Sequence, residues 1–292
     1  MEWLRTEYGR RCEEPERTRV NHTGIEWTEE TWNIVRGCLM VSPGCENCYA
    51  MRFAHRLSGP GKPYEGLTRM TEHGPKWNGE VRLVPEKLEE PLRWRKPRRV
   101  FVNSMSDLLH EKVPDDFIAR AFDVMRRASW HDFQILTKRA DRIPDLDRFV
   151  EWPENVWMGV SVENEEVLLD RVDHLRRSGA QIKWLSVEPL LGPLPSSLDL
   201  TGIDWVVVGG ESGSRARPMA PDWAQGVRDR CVEQGVPFFF KQWGNFGPDG
   251  VRRRGKKANG RELAGRIWDD YPEALPRAAT RAHEAQFLPV IS

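Results

Sequence analysis

The stretch Val156-Trp157-Met158-Gly159-Val160-Ser161-Val162-Glu163-Asn164 contains a complete strand-to-helix transition. Its first seven residues are mostly apolar and show little polar alternation, which is typical of a strand buried on both faces. Asn164 is a preferred helix N-cap, and the helix that it starts would run to Gly179, a preferred C-terminal residue. The stretch therefore predicts one strand–helix unit of a parallel sheet, with Ser161 and Glu163 at the end of the strand.

The same unit recurs along the chain. The other apolar runs are Val100–Asn103, Phe133–Thr137, Ile182–Val187, Trp205–Val208 and Phe238–Phe240, preceded by Thr31–Val35. Helices are predicted over Tyr49–Leu57, from Pro114 onward, and from Pro221 to Gly235. About seven such units predict an α/β fold, an open or partial (β/α) barrel with mostly parallel strands.

Two regions lie outside this repeat. Residues 58–98 are rich in Gly and Pro and are predicted to be an insertion after the cysteine-loop helix, with Leu88–Trp94 as a candidate helix. Residues 245–292 are predicted to form an irregular C-terminal extension that carries the basic run Arg252–Lys257. We therefore expect one domain over residues 1–292, with its core at about 24–244.

Composition bounds the partners and the compartment. Lys plus Arg and Asp plus Glu both number 44, so the net charge of the 292 residues is zero and any nucleic-acid contact must come from local patches. No apolar run approaches the length of a membrane span, and the N-terminus lacks the apolar segment of a signal peptide. Few and unevenly spaced cysteines do not suggest a disulfide framework, so a cytoplasmic location is expected.

Three of the five cysteines fall within eleven residues, as Cys38, Cys45 and Cys48. This C-x6-C-x2-C loop predicts three thiolate ligands of an iron–sulfur cluster with one iron left open. A zinc site with His55 as the fourth ligand is one alternative, and three unligated thiols are another. Of the remaining two, Cys231 is expected to be a small apolar residue of a helix, and Cys12 is given no role.

A three-cysteine loop after the first strand of a partial barrel resembles the radical S-adenosylmethionine superfamily, although that superfamily usually has C-x3-C-x2-C. The order of several segments is similar to the spore photoproduct lyase branch: Phe101–Leu108, Ile135–Arg139, Met158–Val162 and Arg171–Pro193. Thr31-Trp32-Asn33 before the loop resembles phage- and prophage-encoded proteins of this kind. The likeness covers roughly Gly24 to Tyr271.

The resemblance implies a [4Fe–4S] cluster whose open iron chelates the amino and carboxylate groups of S-adenosylmethionine. An external one-electron reductant would then release a 5′-deoxyadenosyl radical that abstracts hydrogen from the substrate. The spore photoproduct lyase branch repairs a thymine dimer in DNA. The implied substrate is therefore a nucleobase, a nucleotide or DNA, including a modified thymidine in phage DNA.

Polar residues at the predicted strand ends supply the candidate site. The expected cofactor-binding residues are Tyr49, Ser104, Ser106, Asp107, Lys138, Ser161, Glu163 and Glu188. The expected substrate-binding residues are Gly209, Gly210, Glu211, Lys241, Gln242 and Trp243. A Lys ammonium suits the cofactor carboxylate, and an amide beside an indole suits a planar heterocycle. The alternatives are helix caps, structural ion pairs and, for Trp243, core packing.

Two other classes of protein remain open from sequence. One is a non-catalytic, zinc- or cluster-stabilised nucleic-acid-binding module, in which Arg252–Lys257 and the basic residues 93–99 would contact phosphates. The other is a barrel hydrolase that uses Asp107, Glu163, Glu188 or Glu211, with the cysteines merely structural.

Overall fold

A computed structural model describes residues 23–273. Its main element is a seven-stranded sheet in which every neighbouring pair is parallel and the strands follow chain order. The strands are β1 (Glu30–Trp32), β2 (Arg99–Val102), β3 (Asp132–Thr137), β4 (Val156–Ser161), β5 (Ile182–Val187), β6 (Trp205–Gly209) and β7 (Phe238–Gln242). This sequential parallel order is that of a (β/α) barrel left open between β1 and β7. The predicted partial barrel is confirmed.

Helices lie between most successive strands, but none lies between β5 and β6. They are α1 (Tyr49–Arg56), α2 (Asp115–Arg127), the single turn α3 (Ile143–Leu146), α4 (Glu165–Arg176) and α5 (Pro221–Gln234). Helix α5 ends at Gly235, whose φ of 68° is left-handed, as its C-terminal position predicts. None of the helices described is both long and apolar enough to cross a membrane.

The strands are buried on both faces, which is why their sequences show little polar alternation. Side chains such as Val100, Val102 and Val206 face outward and join the large apolar core beneath the helices. Phe101, Trp157 and Trp205 face inward and belong to a second cluster inside the barrel. Successive residues therefore enter two different cores.

Aromatic rings fill the N-terminal half of the barrel interior. Trp27 packs 4.7 Å from Phe101 and 5.2 Å from Trp184, and Trp184 lies 5.3 Å from Trp205, between ring centroids. Four of the 13 tryptophans belong to this cluster. Polar side chains from the strand ends lie in the C-terminal half of the interior together with apolar ones, and a cavity lies there.

The two regions outside the barrel repeat carry small elements. The insertion holds a hairpin of Thr68–Thr71 and Gly74–Trp77, and short helical turns at Pro85–Lys87 and Glu90–Arg93 replace the helix predicted at 88–94. Arg82–Leu83 pairs with Val35–Arg36.

Residues 245–273 pack along β7. They include a turn of 3-10 helix at Lys256–Asn259 and the pair Glu262–Leu263 and Arg266–Ile267. The Phe240 amide donates to the Trp268 carbonyl at 2.9 Å.

Candidate active site

A cavity of about 550 Å³ opens at the C-terminal ends of the strands. All three loop cysteines line it, as expected for the rim of a (β/α) barrel. The other predicted site residues that line it are Tyr49, Ser104, Ser106, Asp107, Lys138, Ser161, Glu188, Gly210, Glu211, Lys241 and Gln242. The cavity therefore brings together most of the residues that the sequence singled out from separate strand ends.

The cysteine loop crosses the barrel mouth between β1 and α1. A turn of 3-10 helix at Pro43–Cys45 bends it, and Cys48 is the residue before the first turn of α1. Three contacts, each from a different part of the barrel rim, fix this loop in place.

The first contact is the Glu163 carboxylate, which follows β4 and is fully buried. It accepts hydrogen bonds from Ser42 Oγ at 2.6 Å and Arg171 Nη1 at 2.9 Å, and Lys138 Nζ lies 2.8 Å away. Burial alone would raise the pKa of this carboxyl, but the two cations and the Ser42 hydroxyl hold it below its usual value. Glu163 lies beneath the loop at Gly44 and does not line the cavity.

The second contact joins Glu211, after β6, to the middle of the loop. Glu211 accepts from Arg217 Nη2 at 2.6 Å and from Asn47 Nδ2 at 3.0 Å. Arg217 Nη2 also donates to the Pro43 carbonyl at 2.9 Å, and its Nη1 lies 3.3 Å from the Glu46 carboxylate. The buried Glu211 charge is thus matched by an arginine that also binds the cysteine loop.

The third contact is Arg139, after β3. Its Nη2 donates to the Leu39 carbonyl at 3.1 Å, and its Nη1 lies 3.1 Å from Asp107 Oδ2 and 3.9 Å from Cys38 Sγ. Asp107 also accepts from Thr137 Oγ1 at 2.8 Å. The guanidinium therefore ties the start of the loop to the ends of β2 and β3.

The sulfurs fit the donor set of an iron–sulfur cluster. All three thiols are free, and thiolates are the usual ligands of such clusters. Desolvation raises the pKa of Cys38 to about 12, and the charges of Asp107, Cys48 and Cys45 add to the rise while Arg139 opposes it. Burial likewise raises the pKa of Cys48. A metal bound by these thiols would have to displace their protons.

A site for a single ion is not preformed. Within residues 23–273, no three His, Cys, Asp or Glu side chains converge to hold one metal ion. His55 does not line the cavity, because its Nδ1 pairs with Thr68 Oγ1 at 3.1 Å on the insertion hairpin. A cluster makes a different demand from zinc, since each thiolate binds its own iron.

The segment after β2 is held by an asparagine that sequence reasoning missed. Asn103 has a left-handed φ of 59°, and its Oδ1 accepts from the amides of Ile34 and Val35 at 2.9 and 3.1 Å. Asn tolerates this conformation better than most residues, which was the available signal. The turn points the Ser104 carbonyl at Tyr49, whose hydroxyl donates to it at 2.6 Å. Ser106 Oγ donates to the Val35 carbonyl at 2.7 Å.

The opposite wall contains an ion pair. Glu188, after β5, accepts from Lys241 Nζ at 2.8 Å and from Gln242 Nε2 at 3.2 Å. Gln242 Oε1 is buried in the cavity wall and has no donor within the described chain. This amide oxygen is therefore an unsatisfied acceptor among the described residues.

Two predicted substrate residues do not line the cavity. Gly209 lies at the end of β6, against the Glu188 carboxylate. Trp243 is 2% exposed in the outer core, and its Nε1 donates to the Glu262 carbonyl at 2.8 Å. The close approach at Gly210 is to this same backbone, since a Cβ there would lie 2.0 Å from the Trp243 carbonyl oxygen.

Sequence reasoning also missed the residues that hold the cysteine loop. These are Ser42, Asn47, Arg139, Arg171 and Arg217. No local pattern marks them, because each partner lies between 8 and 174 positions away along the chain.

Solved structures of spore photoproduct lyase are similar to this chain. The enzyme complexed with dinucleoside spore photoproduct has a TM-score of 0.42 at 13% identity, over 75% of this chain and 65% of that one. A point mutant has a TM-score of 0.46 at 10% identity, over 78% and 80%. A double mutant with bound AdoMet and the dinucleoside has a TM-score of 0.40 at 14% identity, over 75% and 65%. The chain thus spans just under two thirds of the first and third of these structures, and similarity of this degree carries no argument about activity.

No curated protein matches the sequence. The profile of the family described as "Protein of unknown function (DUF5131)" matches residues 22–272. Because this match spans most of the 292 residues, the chain belongs to that family.

Proposed function

We propose that the chain is a radical S-adenosylmethionine enzyme that acts on a nucleobase or nucleotide. The observation that carries the proposal is that Cys38, Cys45 and Cys48 line one cavity together with polar side chains from the ends of several strands. The cavity volume of about 550 Å³ lies within the range of roughly 300–1,000 Å³ usual for small-molecule sites. Three cysteine ligands would leave one iron of a [4Fe–4S] cluster without a protein ligand, and the cavity would give a small molecule room beside that iron.

The three cysteines would hold a [4Fe–4S] cluster, with the loop fixed by Glu163, Arg217 and Arg139 as described above. When bound, the cluster and S-adenosylmethionine together supply a 5′-deoxyadenosyl radical once an external reductant delivers one electron. The protein's part is to bind, to orient and to keep water away from that chemistry.

The cofactor-facing residues lie on the cysteine side of the cavity. Lys138 Nζ is paired with the buried Glu163 and presents positive charge that suits a carboxylate. Ser161, at the end of β4, offers a hydroxyl to the ribose. Ser104, Ser106 and the Asp107 carboxylate line the wall of the cavity that would face the methionine amine of the cofactor. Tyr49 closes this wall through its hydrogen bond to the Ser104 carbonyl.

Three orphaned polar atoms support a heterocyclic substrate. Gln242 Oε1, Ser212 Oγ and Asn103 Nδ2 are buried, belong to cavity-lining residues and have no partner in the described chain. Buried polar groups ordinarily require hydrogen bonds, so these atoms suit the mixed donors and acceptors of a nucleobase edge. Lys241 and Glu188 fix the Gln242 amide from one side, and Gly210 and Glu211 complete the wall.

The hydrolase alternative is weakened by the ion pairs. Glu163, Glu188, Glu211 and Asp107 are each bound to a lysine or an arginine, so none is held as a free general base. The zinc-stabilised binding module is weakened because His55 is bound to Thr68 instead of approaching the cysteines.

The test is anaerobic cofactor cleavage. The full chain, reconstituted with iron and sulfide and reduced, should convert S-adenosylmethionine to 5′-deoxyadenosine, measured by chromatography. Cys38→Ala should abolish both the iron content and the product, and the matched variant Cys231→Ala should retain both. A reconstituted cluster that never cleaves the cofactor would contradict the proposal. A hydrolytic activity that survives replacement of all three loop cysteines by alanine would favour the hydrolase.

A further inference from the structure

Helix α1 exposes an aromatic and basic stripe beside the cavity. Tyr49, Arg52, Phe53 and Arg56 have the spacing i, i+3, i+4 and i+7, which places them on one helix face. Tyr49 is 53% exposed and Phe53 is 51% exposed, so two large rings of this stripe face solvent. We call these four residues the α1 stripe.

The α1 stripe is continuous with the cavity mouth. Tyr49 lines the cavity and its hydroxyl is anchored to the Ser104 carbonyl at 2.6 Å, which fixes the ring while leaving it exposed. Leu39 and Val41 of the cysteine loop also line the cavity and are 41% and 45% exposed. A ligand that lies on the stripe can therefore reach into the cavity without crossing a barrier of charged residues.

The arginines of the stripe are not committed to carboxylates. Among residues 23–273, neither Arg52 nor Arg56 has an acidic partner within ion-pair distance. Arginines elsewhere do, such as Arg98 with Glu30 at 2.7 Å on the far edge of the sheet.

A third arginine borders the stripe. Arg215 is exposed, its carbonyl accepts from Asn47 next to α1, and its guanidinium contacts only the His73 ring at 3.5 Å within the described chain. Three arginines near the mouth are thus available to anionic groups.

Four residues of the basic segments singled out in the sequence are already bound within the chain. Arg98 and Arg99 lie at the N-terminal end of β2, opposite the cavity, and are paired with Glu30 and Glu29. In the C-terminal extension, Arg253 is bound to Asp249, and Arg252 donates to the Ser214 carbonyl at 2.6 Å.

We propose that the α1 stripe and Arg215 bind a single-stranded nucleic acid, with bases stacked on Tyr49 and Phe53 and phosphates on the three arginines. Stacking of a base on an aromatic side chain requires an unpaired base, and such contacts suit a neutral protein that cannot rely on bulk charge. Delivery of the next base along the strand into the cavity rests on the proposed function. The binding itself does not.

The test is fluorescence anisotropy with the full chain, purified anaerobically and assayed for iron. The probes are a labelled 12-nucleotide single-stranded DNA, the RNA of the same sequence and the blunt duplex. The wild type should bind a single strand more tightly than the duplex. Three phosphate contacts predict a slope of about −2 for log affinity against log salt concentration, since each contributes about −0.7 on single strands.

Matched variants separate the α1 stripe from the general surface. Phe53→Ala should weaken single-strand binding about tenfold, because base–aromatic stacking is worth about 1–3 kcal/mol. Arg56→Glu should weaken binding and flatten the salt slope by about 0.7. Arg177→Glu makes the same charge reversal, and Leu169→Ala removes a large exposed apolar side chain, both at exposed positions around α4; each should leave binding within about twofold of wild type.

The inference is overturned if Phe53→Ala and Arg56→Glu bind like their controls, or if the duplex binds as tightly as the single strand. It is also overturned if polyglutamate of equal charge displaces the strand as well as an unlabelled oligonucleotide does, which would assign a generic anion surface. A chain that cleaves S-adenosylmethionine but fails to bind the probes keeps the proposed function and loses this inference. A chain that binds the single-stranded probes but does not cleave S-adenosylmethionine supports this inference and contradicts the proposed radical chemistry.

Discussion

Replacing Gly44 by alanine tests whether Glu163 supports the cysteine loop. An ideal Cβ at Gly44 would lie 2.3 Å from Glu163 Oε1 and 2.4 Å from its Cγ. Gly44 is not among the glycines with positive φ, so space and not backbone conformation requires glycine here. Glu163 is held by Ser42, Lys138 and Arg171, so it cannot turn away without losing these partners.

The cost follows from which group gives way. If the loop shifts and Glu163 keeps its partners, the variant resembles an overpacked core and loses about 1–3 kcal/mol of unfolding free energy. If Glu163 is displaced, Lys138 and Arg171 lose a buried partner, and disruption of that kind costs about 3–5 kcal/mol. Both ranges include about 3 kcal/mol, so we expect a loss of that size in the free energy of unfolding. For a domain of this size, that loss corresponds to a drop in Tm of about 10 °C.

The assay is urea and thermal unfolding of the metal-free chain, with iron per chain measured after reconstitution. Gly226→Ala is the matched control, because nothing lies within 4 Å of its Cβ position in the middle of α5. That control should gain up to about 1 kcal/mol from helix propensity and bind iron normally. If Gly44→Ala matches or exceeds the wild type in midpoint and iron content, Glu163 is not the fixed support described here.

Three further predictions concern the same framework. Glu163→Gln should flatten the acid limb of the stability profile. Because the folded pKa of Glu163 is lowered, its stabilisation is present above the ordinary pKa of 4.5 and is lost as the pH falls through the lowered value. The free energy of unfolding, measured between about pH 3 and 7, should therefore fall about 3 kcal/mol below that of the wild type at neutral pH. Arg217→Ala should lower the free energy of unfolding by about 2 kcal/mol and reduce iron loading, because the buried Glu211 loses its charged partner and the loop loses its hydrogen bond at Pro43. An unchanged iron content would show that this arginine does not hold the cysteine loop. Cys231→Ala should lose about 1 kcal/mol and no iron, and wild-type Cys231, whose pKa burial raises to about 12, should resist alkylation until the chain unfolds.

The fold was predictable because the strands are buried on both faces. Runs such as Val156–Val162 show little polar alternation, which indicates burial on both faces. The helix ends were less exact, because α4 ends at Arg176 and not at the predicted Gly179. The boundaries were less predictable where a distant side chain intervenes. The predicted strand Thr31–Val35 is divided into Glu30–Trp32 and Val35–Arg36, because the Asn103 side chain captures the amides of Ile34 and Val35.

The candidate site was predictable as a set of strand ends but not as a set of contacts. Ser161 and Glu163 are two residues apart at the end of β4, yet Ser161 lines the cavity and Glu163 lies under the cysteine loop. Beyond the last paired residue, the pleat no longer dictates which way a side chain points. The same loss of constraint places Lys241 in the cavity and Trp243 in the outer core.

The three carboxylates that support the cysteine loop come from alternate strand ends. Asp107 follows β2, Glu163 follows β4 and Glu211 follows β6, and each is paired with a lysine or arginine before any ligand is considered. The loop is therefore held at separate points around the barrel mouth. Because lysines and arginines already bind these carboxylates, the contacts that hold the loop are complete without any ligand. The framework is therefore built from protein contacts alone, and we expect the chain to keep its barrel when the three loop cysteines are replaced by alanine.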